Sequence, residues 1–140
     1  MGTTNFDAVQ ATSIAAALTG QLAAYPTVAR TATTAGDGTG VIADAGMLQF
    51  VTVTCDNAAK IITLPTPTPG TIVILRNGAT GYELRSSAPA TVAIYGGTGA
   101  SAESAIAAST MVIAVCTSAT TWQAIGIAGA TLAGVEAAAA

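Results

Sequence analysis

Residues 48–55, LQFVTVTC, decide the fold class of this chain. Leu48, Phe50 and Thr52 occupy one set of alternate positions, while Val51 and Val53 belong to the other. A period of two is that of a β-strand, in which successive side chains point to opposite faces of the sheet. Both sets contain apolar residues, so the stretch predicts a buried or half-buried strand.

Six more runs of the same kind follow, separated by turn signals such as PTPTPG at 65–70 and the Asn77-Gly78 step. Proline cannot lie in a central strand, and Asn-Gly favours a chain reversal. Seven short strands separated by turns predict a mainly β domain over 48–126, an antiparallel β-sandwich or a barrel-like fold. The six runs are 60–64, 71–76, 82–85, 91–95, 110–116 and 121–125. The core of this domain is predicted to contain Phe50, Leu64, Ile72, Ile74, Ile94, Val112 and Trp122.

Residues 1–35 differ from the β region because their apolar side chains recur at a spacing of three to five residues in an alanine-rich background. This spacing predicts a helix that ends by about Ala24, since the residue before Pro26 disfavours helical geometry. Two interpretations stay open: a helix packed on its own domain, or a helical or extended arm that docks on a neighbouring subunit or particle. The predicted docking residues of the arm are Phe6, Val9, Ile14, Leu18 and Leu22.

Two segments are predicted to lie outside regular structure, a linker at 36–47 and a tail at 127–140 that is rich in alanine and glycine. The linker glycines are not followed by the Gly-Lys-Ser/Thr of a phosphate-binding loop. Asp37 and Asp44 lack the spacing of a calcium loop. We therefore predict no cofactor and no metal site.

Charge is the scarcest feature of the chain, at 8% of residues with a net charge of -3, whereas soluble domains carry roughly 25%. The cations Arg30, Lys60, Arg76 and Arg85 are too few to neutralise a run of phosphates, so nucleic acid and anionic membranes are not expected partners. No clean apolar run approaches the ~20 residues of a transmembrane helix. A surface this poor in charge predicts burial against copies of the chain or a larger assembly.

Catalytic chemistry is not predicted, because the chain has no histidine and its carboxylates are scattered. Glu83 and Arg85 lie two apart on one strand and point to the same face, which favours a structural, cross-strand ion pair. Cys55 and Cys116 are 61 positions apart in apolar surroundings, so they are predicted to be reduced and buried. We expect a protein that is not an enzyme.

A resemblance extends over residues 61–126, about half of the chain. It is carried by ITLPTPTPG, TIVILRNGATGYELRSS, IYGGTGA and ASTMVIAVCTSATTWQAIG. This succession of strands and Pro/Gly turns resembles a β module of tailed-bacteriophage virion proteins, found in small head decoration (cement) proteins and in fibre domains. The chain lacks the long repeats of a fibre shaft, which favours the decoration role.

The resemblance implies a homotrimer on the outer capsid surface of the virion, where it binds the major capsid protein and stabilises the head. The alternative is a tail or head fibre domain, or a receptor-binding domain that stacks glycans on Trp122, Tyr82 or Tyr95.

Overall fold

The structure, a computed structural model, describes residues 27–94 and 103–128. The described residues form nine strands and one 3₁₀ turn, Gly38–Gly40, so the mainly β prediction is confirmed. The predicted arm residues Phe6, Val9, Ile14, Leu18 and Leu22 lie outside the described residues. The strands are β1 Thr27–Thr31, β2 Leu48–Thr54, β3 Ile61–Thr63, β4 Ile72–Asn77, β5 Tyr82–Arg85, β6 Ala93–Ile94, β7 Ser104–Ile106, β8 Thr110–Ser118 and β9 Thr121–Ala128.

Two sheets pack against each other, one of six strands in the order β1-β2-β4-β8-β9-β6 and one of three in the order β3-β5-β7. The pairing is mixed and not antiparallel throughout, which corrects the expected arrangement. From β2 to β5 the chain alternates between the sheets, so β2 and β4 become parallel neighbours in one sheet and β3 and β5 in the other. Only β8 and β9 form a long antiparallel hairpin, as a two-residue connection allows.

The core lies between the two sheets and is closed around Trp122, which is fully buried. Val112 and Leu75 come from the large sheet, while Leu84 and Ile62 come from the small one. All five side chains are fully buried, so the core is filled from both layers.

The predicted arm, 1–35, and the predicted linker, 36–47, both include residues that belong to the β domain. Thr27–Thr31, placed in the arm by the sequence, is the edge strand β1 and pairs with β2. Within the predicted linker, Ile42 is 2% exposed and its amide donates a hydrogen bond of 2.9 Å to the carbonyl of Thr63. The linker therefore packs on β3 as part of the β domain.

Among the glycines of this linker, Gly36 has the least room for a side chain. It has a φ of 68°, and a Cβ there would lie 2.6 Å from both Arg85 Nη2 and Ile61 Cγ2. Thr63 Oγ1 donates a hydrogen bond of 2.6 Å to the Gly36 carbonyl. Glycine is needed at this position for its positive φ and for the absence of a side chain.

The reversal after β4 is held by a side chain rather than by positive backbone angles. Among the described residues Gly78 does not adopt a positive φ. Instead Asn77 Nδ2 donates to the carbonyls of Thr80 and Ala107 at 2.8 and 2.9 Å, and Asn77 Oδ1 accepts from the Thr110 amide at 2.9 Å. This buried asparagine thereby ties β4 to the start of β8.

Candidate functional site

The candidate site is the face of the six-stranded sheet that points away from the small sheet, called the outer face from here on. Its centre is a row that runs across four paired strands, from Phe50 through Ile74 and Ile113 to Ile125. Directly paired side chains on one face lie about 4.5–5.5 Å apart, so the row is continuous. A second apolar row beside it contains Leu48, Ile72 and Val115.

The outer face is apolar because four strands carry apolar residues at both sets of alternate positions. In β4, Val73 and Leu75 are fully buried in the core, whereas Ile72 and Ile74 are half-buried on the outer face. A strand in a two-layer protein with one solvated face normally alternates apolar with polar residues. The sequence of this sheet is instead typical of one covered on both faces.

Exposure on the outer face reaches 68% for Ile125 and 39% for Met111, and Phe50, Ile74 and Ile113 are half-buried. An open groove on this face is lined by residues of β1, β2, β4 and β8, among them Phe50, Ile74 and Met111. Contiguous apolar patches of several hundred Å² on a protein surface usually mark an interaction site.

The outer face of the described strands carries a charged side chain at one end only. The third row runs from Ala29 and Thr52 to Arg76, Met111 and Ile127. The guanidinium of Arg76 is exposed, and it is the single charged side chain on the outer face of the described strands. A partner for this face would meet apolar side chains over most of its area and one positive charge at its rim.

The predicted core residues divide between the two faces of the sheets. Leu64, Ile94, Val112 and Trp122 lie in the core, with exposures of 4% or less. Phe50, Ile72 and Ile74 do not: they are half-buried on the outer face, which corrects that part of the prediction. The alternation identified which residues share a face, but two apolar faces gave no sign of which one points inward.

Several charged groups hold the domain together. Arg85 pairs with Glu103 at 3.2 Å and donates a further hydrogen bond to the carbonyl of Ala35. Glu103 stands just before β7, the strand that pairs with β5, so the ion pair of Arg85 runs across the small sheet. Asp44 Oδ1 accepts from the amide of Thr66 at 2.8 Å. Over the described ranges there is no group of three acidic or cysteine side chains that could hold a metal ion.

The pKa values of Asp56 and Cys116 are shifted by their immediate surroundings. The hydrogen bond from Lys60 lowers the pKa of Asp56, which lies 2.7 Å from the ammonium in an exposed ion pair. Burial raises the pKa of the Cys116 thiol. Cys116 is buried as expected, whereas Cys55 is only half-buried, and both are free thiols.

Two of the three aromatic side chains offered for glycan stacking are buried. Trp122 is 0% exposed and Tyr82 is 1% exposed, while Tyr95 lies outside the described residues. Neither Trp122 nor Tyr82 can therefore present a ring face to a sugar in this fold. Within 27–94 and 103–128, no helix is long and apolar enough to cross a membrane.

A small cleft at the start of β2 is the second concave feature. It is lined by Asp44, Met47, Gln49, Pro65 and Thr71, among others. Gln49 is 6% exposed, and within the described part of the chain its Nε2 has no hydrogen-bond partner. The cleft is small beside the outer face, and its walls are mainly apolar.

Comparison of the chain with protein-family models, with curated proteins and with solved structures gave no match.

The outer face was not predicted as a site, although its signal is in the sequence. Residues 72–75 and 112–115 are unbroken apolar runs, and such strands are typical of sheets covered on both faces.

Proposed function

We propose that this chain is a non-enzymatic structural protein of a tailed-phage virion, a decoration (cement) protein that binds the outer surface of the capsid and stabilises it as a trimer. The observation that carries the assembly part of this proposal is the apolar outer face. Its central row, Phe50, Ile74, Ile113 and Ile125, calls for a covering layer that the described elements do not supply.

The scarcity of charge supports the same proposal. A surface with few charged side chains is poorly protected against association, and repeated packing around a capsid puts such a surface to use. Many identical weak contacts then add up to firm attachment, because each bound subunit raises the effective concentration of the next contact. The negative net charge fits a location on the outside of the head, away from the packaged genome.

The specific assignment to a phage head rests on the resemblance of residues 61–126, and the major capsid protein is the proposed partner. The alternative is a fibre or receptor-binding domain, which shares the same β module. Its glycan-binding form has lost support, because Trp122 and Tyr82 are buried. A fibre domain that assembles through the outer face is the form of the alternative that persists.

The test is a count of copies in purified virus particles from the source of this chain. Quantitative mass spectrometry against the major capsid protein, with immunogold labelling of intact particles, gives both copy number and place. A copy number close to that of the major capsid protein and label over the head would support the decoration role. A few copies with label on the tail would favour the fibre alternative, and particles without the chain would overturn the proposal.

A further inference from the structure

We infer that the outer face of one copy is covered by residues 5–24 of a neighbouring copy. The inference rests on the proposed function, because it names the contact through which copies would assemble. It assigns the N-terminal segment to the face that four strands leave apolar.

The chemistry of the two surfaces matches. Residues 8–29 contain no charged side chain, and the stripe that includes Ile14, Leu18 and Leu22 needs an apolar partner if it forms a helix. The outer face offers such a partner in the row from Phe50 to Ile125. A helix laid on a sheet is a standard way to cover an apolar sheet face.

The dimensions also match. The outer face extends from β1 to β9 over four strand spacings, or about 19 Å at the usual separation of strands. A helix over 5–24 would be about 30 Å long. The helix is thus long enough to cross every strand that contributes an apolar side chain to the outer face.

The direction of the chain favours a neighbouring copy over the same copy. Thr27 begins β1 at the edge of the sheet and pairs with Phe50. Before it stands Tyr25-Pro26, and proline favours an extended conformation for the residue that precedes it. A chain that continues the line of β1 through this step would leave its own domain at the edge of the sheet. An arm that binds a different surface on the next copy can close a ring of identical contacts.

One charge pair fits this arrangement. Asp7 is the single charged residue of 1–26, and Arg76 is the single charged side chain on the outer face of the described strands. Opposite charges at the rim of an apolar contact guide its register more than they strengthen it.

Site-specific cross-linking tests the inference on the full chain. In a background of Cys55→Ser and Cys116→Ala, one preparation carries Leu18→Cys and a second, with an affinity tag, carries Ile74→Cys. The two are unfolded together, refolded and treated with a short bismaleimide. We expect a covalent product that contains one chain of each kind. The matched control replaces Ile74→Cys by Ser87→Cys, at an exposed residue off the outer face, and should give no such product.

The double variant, with Leu18→Cys and Ile74→Cys in one chain, separates the alternatives. Cross-linked oligomers would support exchange between copies. A product that stays monomeric with an internal cross-link would overturn it in favour of an arm packed on its own domain, and no cross-link in either experiment would remove the arm from the outer face altogether.

Sedimentation gives a second readout that needs no cross-linker. Leu18→Asp should weaken self-association about 30-fold or more, as loss of a central contact residue does. Thr12→Asp lies about 120° from Leu18 around the predicted helix, in the widest gap between the predicted docking residues, and should leave association nearly unchanged. Equal association of the Leu18→Asp and natural chains would overturn the inference. The proposed virion role would fall separately, by absence of the chain from particles.

Discussion

The two faces of the six-stranded sheet are made from nearly the same kinds of residue, yet they have opposite fates. On the core face Val73, Leu75 and Val112 are fully buried beneath the small sheet. On the outer face Ile74 and Ile113 are half-buried, and Ile125 is 68% exposed. An apolar side chain is therefore stabilised by burial on either face, but the topology of the chain determines which face the small sheet buries.

The core face and the outer face also contribute to different properties, the first to the stability of the folded chain and the second to its association. Burying a large apolar side chain contributes roughly 1.5–3 kcal/mol, and the core face collects this within one chain. On the outer face this free energy is gained only when another layer of protein packs against it. Mutations on the two faces should thus be told apart by measuring unfolding and association separately.

The largest expected effect comes from truncating neighbours on opposite faces of β4. Leu75→Ala should lower the free energy of unfolding by about 2–5 kcal/mol, because it leaves a cavity in a closed core. Ile74→Ala should cost clearly less in the dissociated chain, since its side chain is half-buried. Urea unfolding at low protein concentration measures both. Equal losses would mean that the outer face is covered within a single chain.

A smaller effect depends on pH and on a polar atom in the core. Burial raises the pKa of Tyr82, and its hydroxyl has no hydrogen-bond partner among the described residues. The folded chain keeps the phenol proton where the unfolded chain releases it, so stability is full below pH about 10 and falls above it, by up to about 1.4 kcal/mol per pH unit. Tyr82→Phe should remove this part of the alkaline loss and should raise stability at neutral pH by about 1 kcal/mol.

The comparison for Tyr82 is made by urea unfolding of both chains between pH 7 and 11. Because all other titrating groups are shared, the difference between the two curves isolates the phenol. Parallel curves over the whole range would show that Tyr82 is not buried in solution.

The smallest change in stability is expected at the most exposed apolar residue. Ile125→Ser should alter the free energy of unfolding of the dissociated chain by less than about 0.5 kcal/mol, as surface substitutions usually do. It should nevertheless weaken self-association, measured by sedimentation. Ser87→Ala, at an exposed residue off the outer face, is the control and should change neither quantity. A large loss of stability in Ile125→Ser would contradict the exposed outer face.

The seven predicted strands all form. In β2, β4, β5 and β8 burial alternates with a period of two, whereas β3 and β6 are short and buried throughout. Two strands were missed. β1, TVART, is an edge strand with a single large apolar residue, and β7, SAI, is three residues long and is held by its pairing with β5. Neither segment shows enough apolar alternation to be predicted as a strand, because each is stabilised by pairing with a strand that is distant in sequence.

The candidate site could be predicted only in part. The separation of Phe50 from Val51 onto opposite faces follows from alternation, but the choice of the inward face does not, because both sets are apolar. The ion pair of Arg85 with Glu103 joins residues 18 positions apart across the fold. Such contacts depend on the order of the strands, and alternation within a strand carries no information on that order.

The strand order has a consequence for how the chain folds during synthesis. The centre of the large sheet pairs β4 with β8, so Leu75 must wait for Val112, which is made 37 residues later. The short edge strand β6 in turn must wait for β9. Pairings between distant segments form slowly, because the intervening chain must be closed into a loop first. We therefore expect a ribosome-bound chain that stops before β8 to stay unfolded, with the apolar residues of both sheet faces exposed until the last hairpin is complete.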